Sequence, residues 1–124
     1  MKWICSILLL ISACSDQNTA SMTPETPINQ GEYRYLALGD SYTIGERVAE
    51  NERWSVQLSE ILRQEGVKIG TPEIIARTGW TTAELAEGIK NKNPKNSYNL
   101  VSLLIGVNNQ YRGQSLERYR TELQ

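Results

Sequence analysis

The chain has 124 residues, with 13 Lys and Arg against 14 Asp and Glu, two Cys and no His. One domain fits that length, 40% apolar content can build one core, and a near-zero net charge without a basic cluster argues against a nucleic-acid partner. Two cysteines are too few for a disulfide scaffold, no Cys/His spacing suggests zinc, and without histidine these residues supply no imidazole base.

Met1-Lys2 is a short, weakly cationic start. Trp3 to Ile11 is apolar apart from Ser6, too short to span a bilayer and the right length for a signal h-region. A buried first strand is the alternative, but the polar stretch that follows cannot continue a core. Ile11-Ser12-Ala13-Cys14 resembles the bacterial lipoprotein box: an aliphatic residue, two small ones, then the cysteine that is acylated. Residues 1–13 are therefore expected to be a lipoprotein signal peptide, and Cys14 the lipid anchor of an exported, membrane-tethered protein. Cleavage there removes Cys5, so no intrachain disulfide is expected. Ser15, where inner-membrane lipoproteins often carry Asp, favours an outer membrane if the cell has one. Ser15 to Glu32 is rich in Ser, Thr, Asn, Gln and Pro and has almost nothing to bury, so residues 14–32 read as lipidated cysteine and disordered tether. Such a tether spans about 20–25 Å.

From Tyr33 the chain alternates two periods. Tyr33 to Leu38 reads as a strand ending in Gly39-Asp40. Asn51 is expected to cap a helix with Trp54, Leu58, Ile61 and Leu62 on one face and Gly66 as its stop. Glu73 to Ala76 reads as a second strand, entered through Pro72. Thr81-x-x-Glu84 is a capping box opening a helix with Leu85, Ala86 and Ile89. Asn91 to Ser97 is a polar loop. Leu100 to Ile105 is a nearly continuous apolar run, as expected of a central strand buried on both faces. Ser115 caps a last helix with Leu116, Tyr119 and Leu123 inward. The order βαβαβα implies an α/β fold, a parallel sheet with helices on both faces and functional groups at the carboxyl ends of the strands. The loops found there are Gly39–Gly45, Thr78–Thr82 and Gly106–Gln110.

Gly39-Asp40-Ser41-Tyr42-Thr43-Ile44-Gly45 resembles the first block of the GDSL/SGNH hydrolase superfamily, in which the serine is the nucleophile. Arg77-Thr78-Gly79-Trp80-Thr81-Thr82 resembles the second, whose glycine gives a backbone N–H to the oxyanion hole. Gly106-Val107-Asn108-Asn109 resembles the third, whose asparagine gives a side-chain N–H. All three follow the family's order, each just past an expected strand. The resemblance covers residues 33–124 and implies the first three βα units of a flavodoxin-like, three-layer α/β/α hydrolase domain. It assigns Ser41 as nucleophile and Gly79 and Asn108 as oxyanion donors, with Asp40 in support. It implies no metal or organic cofactor, and an ester of a small molecule, lipid or glycan as substrate. Asn109 departs from the family's usual aspartate.

These residue types suit the chemistry on their own terms. A serine in the first strand-to-helix turn is exposed, with its N–H turned into the cleft. Gly79 lets backbone approach a ligand closely. An Asn amide donates without carrying charge, which suits an oxygen that becomes negative only in the transition state. Asp40 is expected to brace its turn through backbone amides. Taken singly, Ser41 also reads as a plain helix cap, Gly79 as a turn glycine and Asn108-Asn109 as a polar turn. Trp54 and Tyr119 read as core, and Arg112, Arg118 and Arg120 as a solvated face; Tyr111 is a candidate for the cleft wall.

A serine hydroxyl needs a positioned base. In the family this is a histidine in a C-terminal Asp-x-x-His block, which these residues lack. The expectation is a C-terminally truncated esterase, inactive alone, whose three strands leave an aliphatic sheet edge uncovered. Two other readings stand beside it: a non-catalytic lipoprotein that binds acylated glycans or lipids, and a flavodoxin-like module that binds phosphate or flavin through Ser41 to Gly45. Asp40 and Glu46 flank that loop and oppose a phosphate.

Overall fold

The computed structural model describes residues 33–94 and 97–124; the expected leader, Cys14 and tether lie outside them. Three strands form one parallel sheet: β1 (Tyr35–Gly39), β2 (Glu73–Ala76) and β3 (Leu100–Leu104), in the order β2-β1-β3. Ala37 lies opposite Ile74 on one side and Ser102 on the other. Tyr33 makes a separate bridge to Ile69, so the expected first strand begins two residues later.

Strand alternation sends the side chains of β1 to two cores. Tyr35 and Ala37 pack with Ile69 against Trp54, Leu58 and Leu62 of helix α2 (Trp54–Gln64). Leu36 packs with Ile75 and Leu85 on the other face, beside Trp80 and Ile89. Leu85 and Ile89 belong to helix α3 (Thr82–Lys92), so helices cover both faces of the sheet, as expected.

The ends of α3 follow the sequence closely. Thr81 accepts from the Glu84 N–H while the Glu84 carboxylate accepts from the Thr81 N–H, the reciprocal capping box. Asn93 closes the helix in the left-handed conformation.

Three expectations are corrected. The central strand is β1, not the apolar run of β3, which lies at the edge of the described sheet with Val101, Leu103 and Leu104 about half exposed. Continuous apolarity records what a strand is suited to, whereas position depends on which partners pair with it. Asn51 does not cap α2: it sits in a 3-10 turn, Glu50–Glu52, and α2 starts at Trp54 behind Arg53, which makes no side-chain cap bond. Here the Glu52 carboxylate accepts from the Ala49 N–H, which takes the chain through an extra turn before the helix. In the last helix, α5 (Leu116–Glu122), Ser115 does cap, accepting from the Arg118 N–H, but Leu116 and Leu123 are exposed and only Tyr119 is turned inward. Leu116 instead lines an open cleft of about 560 Å³ with Ile105, Gly106 and Tyr119.

Candidate active site

The turn after β1 enters helix α1 (Ser41–Ile44) directly. Ser41 is its first residue and is partly exposed. Asp40 is the cap: its buried carboxylate accepts from the Tyr42 N–H at 3.1 Å. Gly39 is required by crowding, because a Cβ there would lie 2.2 Å from the Thr43 hydroxyl and 2.4 Å from the Leu104 carbonyl. Thr43 is wholly buried, so α1 is held down from beneath, and Ser41 at its start stays partly exposed.

The second loop is a tight turn in which the Trp80 N–H donates to the Arg77 carbonyl at 3.2 Å. Gly79 stands at its third position with φ +82°, the conformation of a type II turn that favours glycine. A Cβ at residue 79 would meet only Arg112 Nη2 at 3.7 Å. What the protein itself demands here is the left-handed backbone rather than space.

The third loop is helical, where a loop was expected. Gly106 leads into α4 (Val107–Tyr111), which orients two adjacent asparagines to different tasks. Asn108 Nδ2 donates to the Trp80 carbonyl at 2.9 Å and to Asp40 Oδ2 at 3.3 Å. Asn109 is buried: its Oδ1 accepts from the Thr82 N–H at 3.1 Å, and its Nδ2 donates to Thr82 Oγ1 at 2.6 Å and Gln114 Oε1 at 2.9 Å. The Thr82 hydroxyl passes its own hydrogen to Glu122 of α5.

These bonds knit the three strand-end loops into one unit. Asn108 reaches both the cap of α1 and the turn of Gly79, and the Thr78 hydroxyl donates to Glu46 at 3.0 Å, a second link between the first two loops. Arg112, expected on a solvated face, is instead part of the assembly: Nη2 donates to the Gly79 carbonyl at 2.6 Å and Nη1 to Glu84 Oε1 at 3.1 Å. The signal for it is its position four residues after Asn108, one helical turn further along the same face, which a loop over this stretch does not show. Arg118 pairs with Glu122. Tyr111 is almost fully exposed, and Tyr119 donates its hydroxyl to the Ile105 carbonyl at 3.1 Å.

Two carboxylates are held below their ordinary pKa. For Glu84 the Thr81 N–H is the main cause, with the Thr81 hydroxyl and the Arg112 guanidinium adding to it. For Glu122 it is the Thr82 hydroxyl, followed by Arg118.

The fold and its joined loops define an α/β protein with a polar site at the carboxyl ends of parallel strands, one of them offering a serine at a helix start. Residues 37–124 match the GDSL-like Lipase/Acylhydrolase family, and the chain belongs to it. Among solved structures it is similar to AlinE4, an SGNH-hydrolase family esterase, with 31% identity and a TM-score of 0.64 over 75% of this chain and 50% of that one. TesA superposes with a TM-score of 0.65 at 21% identity, over 73% of this chain and 49% of its own. The psychrotrophic esterase EstA from Pseudoalteromonas sp. gives 0.56 at 21% identity, over 74% and 50%. The chain thus spans about half the length of these structures. No curated protein matches it.

Proposed function

We propose that this chain carries the nucleophile and the oxyanion donors of a serine ester hydrolase that acts on acyl esters. The observation that carries the reading is the bonding of Asn108 to both Asp40, beside Ser41, and Trp80, beside Gly79. It ties the three candidate groups to one another through two neighbours. On this reading Ser41 Oγ attacks the ester carbonyl and gives up its proton to a base. The carbonyl oxygen takes up the negative charge, and the Ser41 N–H, Gly79 N–H and Asn108 Nδ2–H stabilise it. Collapse of the tetrahedral intermediate releases the alcohol, and water then frees the acyl group from Ser41. Of the two Asn108 bonds, the 3.3 Å one to Asp40 is the longer, and it is the one an oxyanion would displace.

With no histidine among the 124 residues, the base comes from outside them. The family match favours this reading over a flavin or phosphate module. Anchorage at Cys14 would place the activity on an exported membrane surface.

The test is turnover of p-nitrophenyl acetate by the chain alone and by the chain joined after Gln124 to a histidine-bearing C-terminal half of a family esterase. The chain alone should do no better than its Ser41→Ala variant, and the joined form should turn over in a Ser41-dependent way. A phosphonate inhibitor should leave its adduct on Ser41. A well-folded joined form that binds acylated ligand without turnover would favour the non-catalytic lipoprotein.

A further inference from the structure

Two consecutive carbonyls of the second loop are held by two residues one helical turn apart. The Trp80 carbonyl accepts from Asn108 Nδ2 and the Gly79 carbonyl from Arg112 Nη2. The Arg112 N–H in turn donates to the Asn108 carbonyl at 3.0 Å. Asn108, Arg112, Gly79 and Trp80 therefore close a ring of three hydrogen bonds and the intervening backbone. Asn109 ties α4 to Thr82 further on, so without Arg112 the Gly79-Trp80 carbonyls would be held to α4 by the Asn108 amide alone, and that amide is the group the proposed reaction needs.

We propose that Arg112 is a positioning residue: it fixes the turn of Gly79 against α4, and so sets the spacing between the Gly79 N–H and the Asn108 amide for one oxyanion. The inference rests on the proposed hydrolase reading and goes beyond it by adding a residue that touches no reacting atom. The guanidinium suits the task because its planar fork reaches the Gly79 carbonyl and the Glu84 carboxylate at once. Glu84 is itself fixed by the capping box at Thr81, so the arginine is braced against the start of α3. An ammonium on a single stem cannot hold both acceptors with the same orientation. As a surface ion pair the Arg112–Glu84 contact matters little for stability, since both side chains are close to half exposed. Its consequence is geometric: displacement of an oxyanion donor on the order of 1 Å can cost about 100-fold in rate.

The experiment compares Arg112→Ala and Arg112→Lys with the parent in the joined form described above. Both variants should lower kcat by roughly 10- to 100-fold with KM little changed, and melt within a few degrees of the parent. Millimolar guanidinium should restore part of the activity of Arg112→Ala and none to the parent. In the 124-residue chain itself, hydrogen exchange of the segment 77–81 should speed up in Arg112→Ala and return toward the parent with added guanidinium. A kcat within about threefold of the parent, in a form whose turnover depends on Ser41, overturns the positioning role and leaves the hydrolase intact. Turnover indifferent to Ser41→Ala overturns the hydrolase reading and this inference with it. Unchanged exchange at 77–81 overturns the inference whatever the activity.

Discussion

Asn109 holds Thr82 from both ends, accepting from its N–H at 3.1 Å and donating to its hydroxyl at 2.6 Å. All of these groups are buried or nearly so, and the Thr82 N–H is one of the first-turn donors of α3 that no intrahelical carbonyl can reach. The family's usual residue here is aspartate. The Thr82 hydroxyl has one hydrogen, and it goes to Glu122, so it needs a donor from residue 109. An amide supplies one and a carboxylate does not. Asn109→Ala should therefore destabilise the domain by about 1–3 kcal/mol, the cost of leaving buried partners unpaired. Urea unfolding should show a lower midpoint. Asn109→Asp should recover only part of the loss in the same titration, and full recovery would mean the hydroxyl is free to turn.

Asn108, one residue earlier, should behave differently. An oxyanion donor bonds the developing alkoxide better than the ground-state carbonyl, so its loss should fall on kcat rather than KM. In the joined form, Asn108→Ala should lower kcat by roughly 10²–10³, about 2.7–4 kcal/mol, with KM changed only a few-fold. Asn109→Ala should cost much less in kcat. The comparison is made at a temperature where both variants are fully folded, because Asn109→Ala is itself destabilised and Asn108 also bonds Trp80 and Asp40. If Asn108→Ala keeps more than about a third of the parent kcat, Asn108 is a turn residue.

Acid should weaken the start of α3 as the Glu84 carboxylate protonates. The Glu84 carboxylate is held below its ordinary pKa by the Thr81 N–H first, then by the Thr81 hydroxyl and Arg112. A lowered folded-state pKa means stability that is present above the unfolded value and lost as pH falls through the folded one. The window is therefore at and below about pH 4.3. Thr81→Ala should cost about 0.5–2 kcal/mol at neutral pH. Glu84→Gln should flatten the fall of the melting temperature below that pH. An unchanged acid limb in Glu84→Gln would mean the pairing seen here contributes nothing to stability.

What was legible in the sequence was mostly local. The capping box at Thr81 and Glu84, the strand at Glu73 to Ala76 and the cap at Ser115 each depend on residues a few positions apart, and each forms as read. The alternation of strand and helix sufficed for the α/β class. Long-range pairing was not legible. Nothing in Leu100 to Leu104 says which strand will lie outside it, and nothing in Leu116 or Leu123 says whether a surface will meet them. Asn51 does not act as the expected cap because Glu52 takes the turn before α2, through its bond to the Ala49 N–H. Arg112 shows in the sequence only as a residue one turn beyond Asn108, because its partner, the carbonyl of residue 79, has no signature in side-chain composition. The three candidate blocks are visible as motifs; the bonds that join them are not.

The lipoprotein reading of the first residues gives a direct prediction. In a bacterium fed a clickable palmitate analogue, the full chain should be labelled and its Cys14→Ala variant should not. The motif Ile11-Ser12-Ala13-Cys14 and the polar residues after it are the ground for this. Equal labelling of both chains would exclude lipidation at Cys14.

The edge of β3 should make the isolated domain associate. β3 pairs with β1 along one side, and among the described residues no strand pairs with its other side. Opposite partners share a face, so Val101 lies with Leu36 and Leu103 with Leu38, on the side of α3. Yet Val101 is 53% and Leu103 51% exposed, because α3 covers β1 and β2 but does not reach this far across the sheet. Leu104 is 47% exposed on the opposite face. Unpaired backbone beside exposed aliphatic side chains is a template for another strand. Covering these half-exposed groups contributes on the order of 1 kcal/mol each, which does not by itself offset the loss of freedom on association. Ladder hydrogen bonds must add to it, and the association should therefore be weak and concentration-dependent. Residues 33–124 should sediment as a monomer when dilute and shift to dimers or larger species as concentration rises. Leu103→Lys places a charge on that edge and should hold the domain monomeric across the same range without unfolding it. If the parent stays monomeric throughout, the open edge does not drive association; if the lysine variant associates equally, contacts elsewhere do.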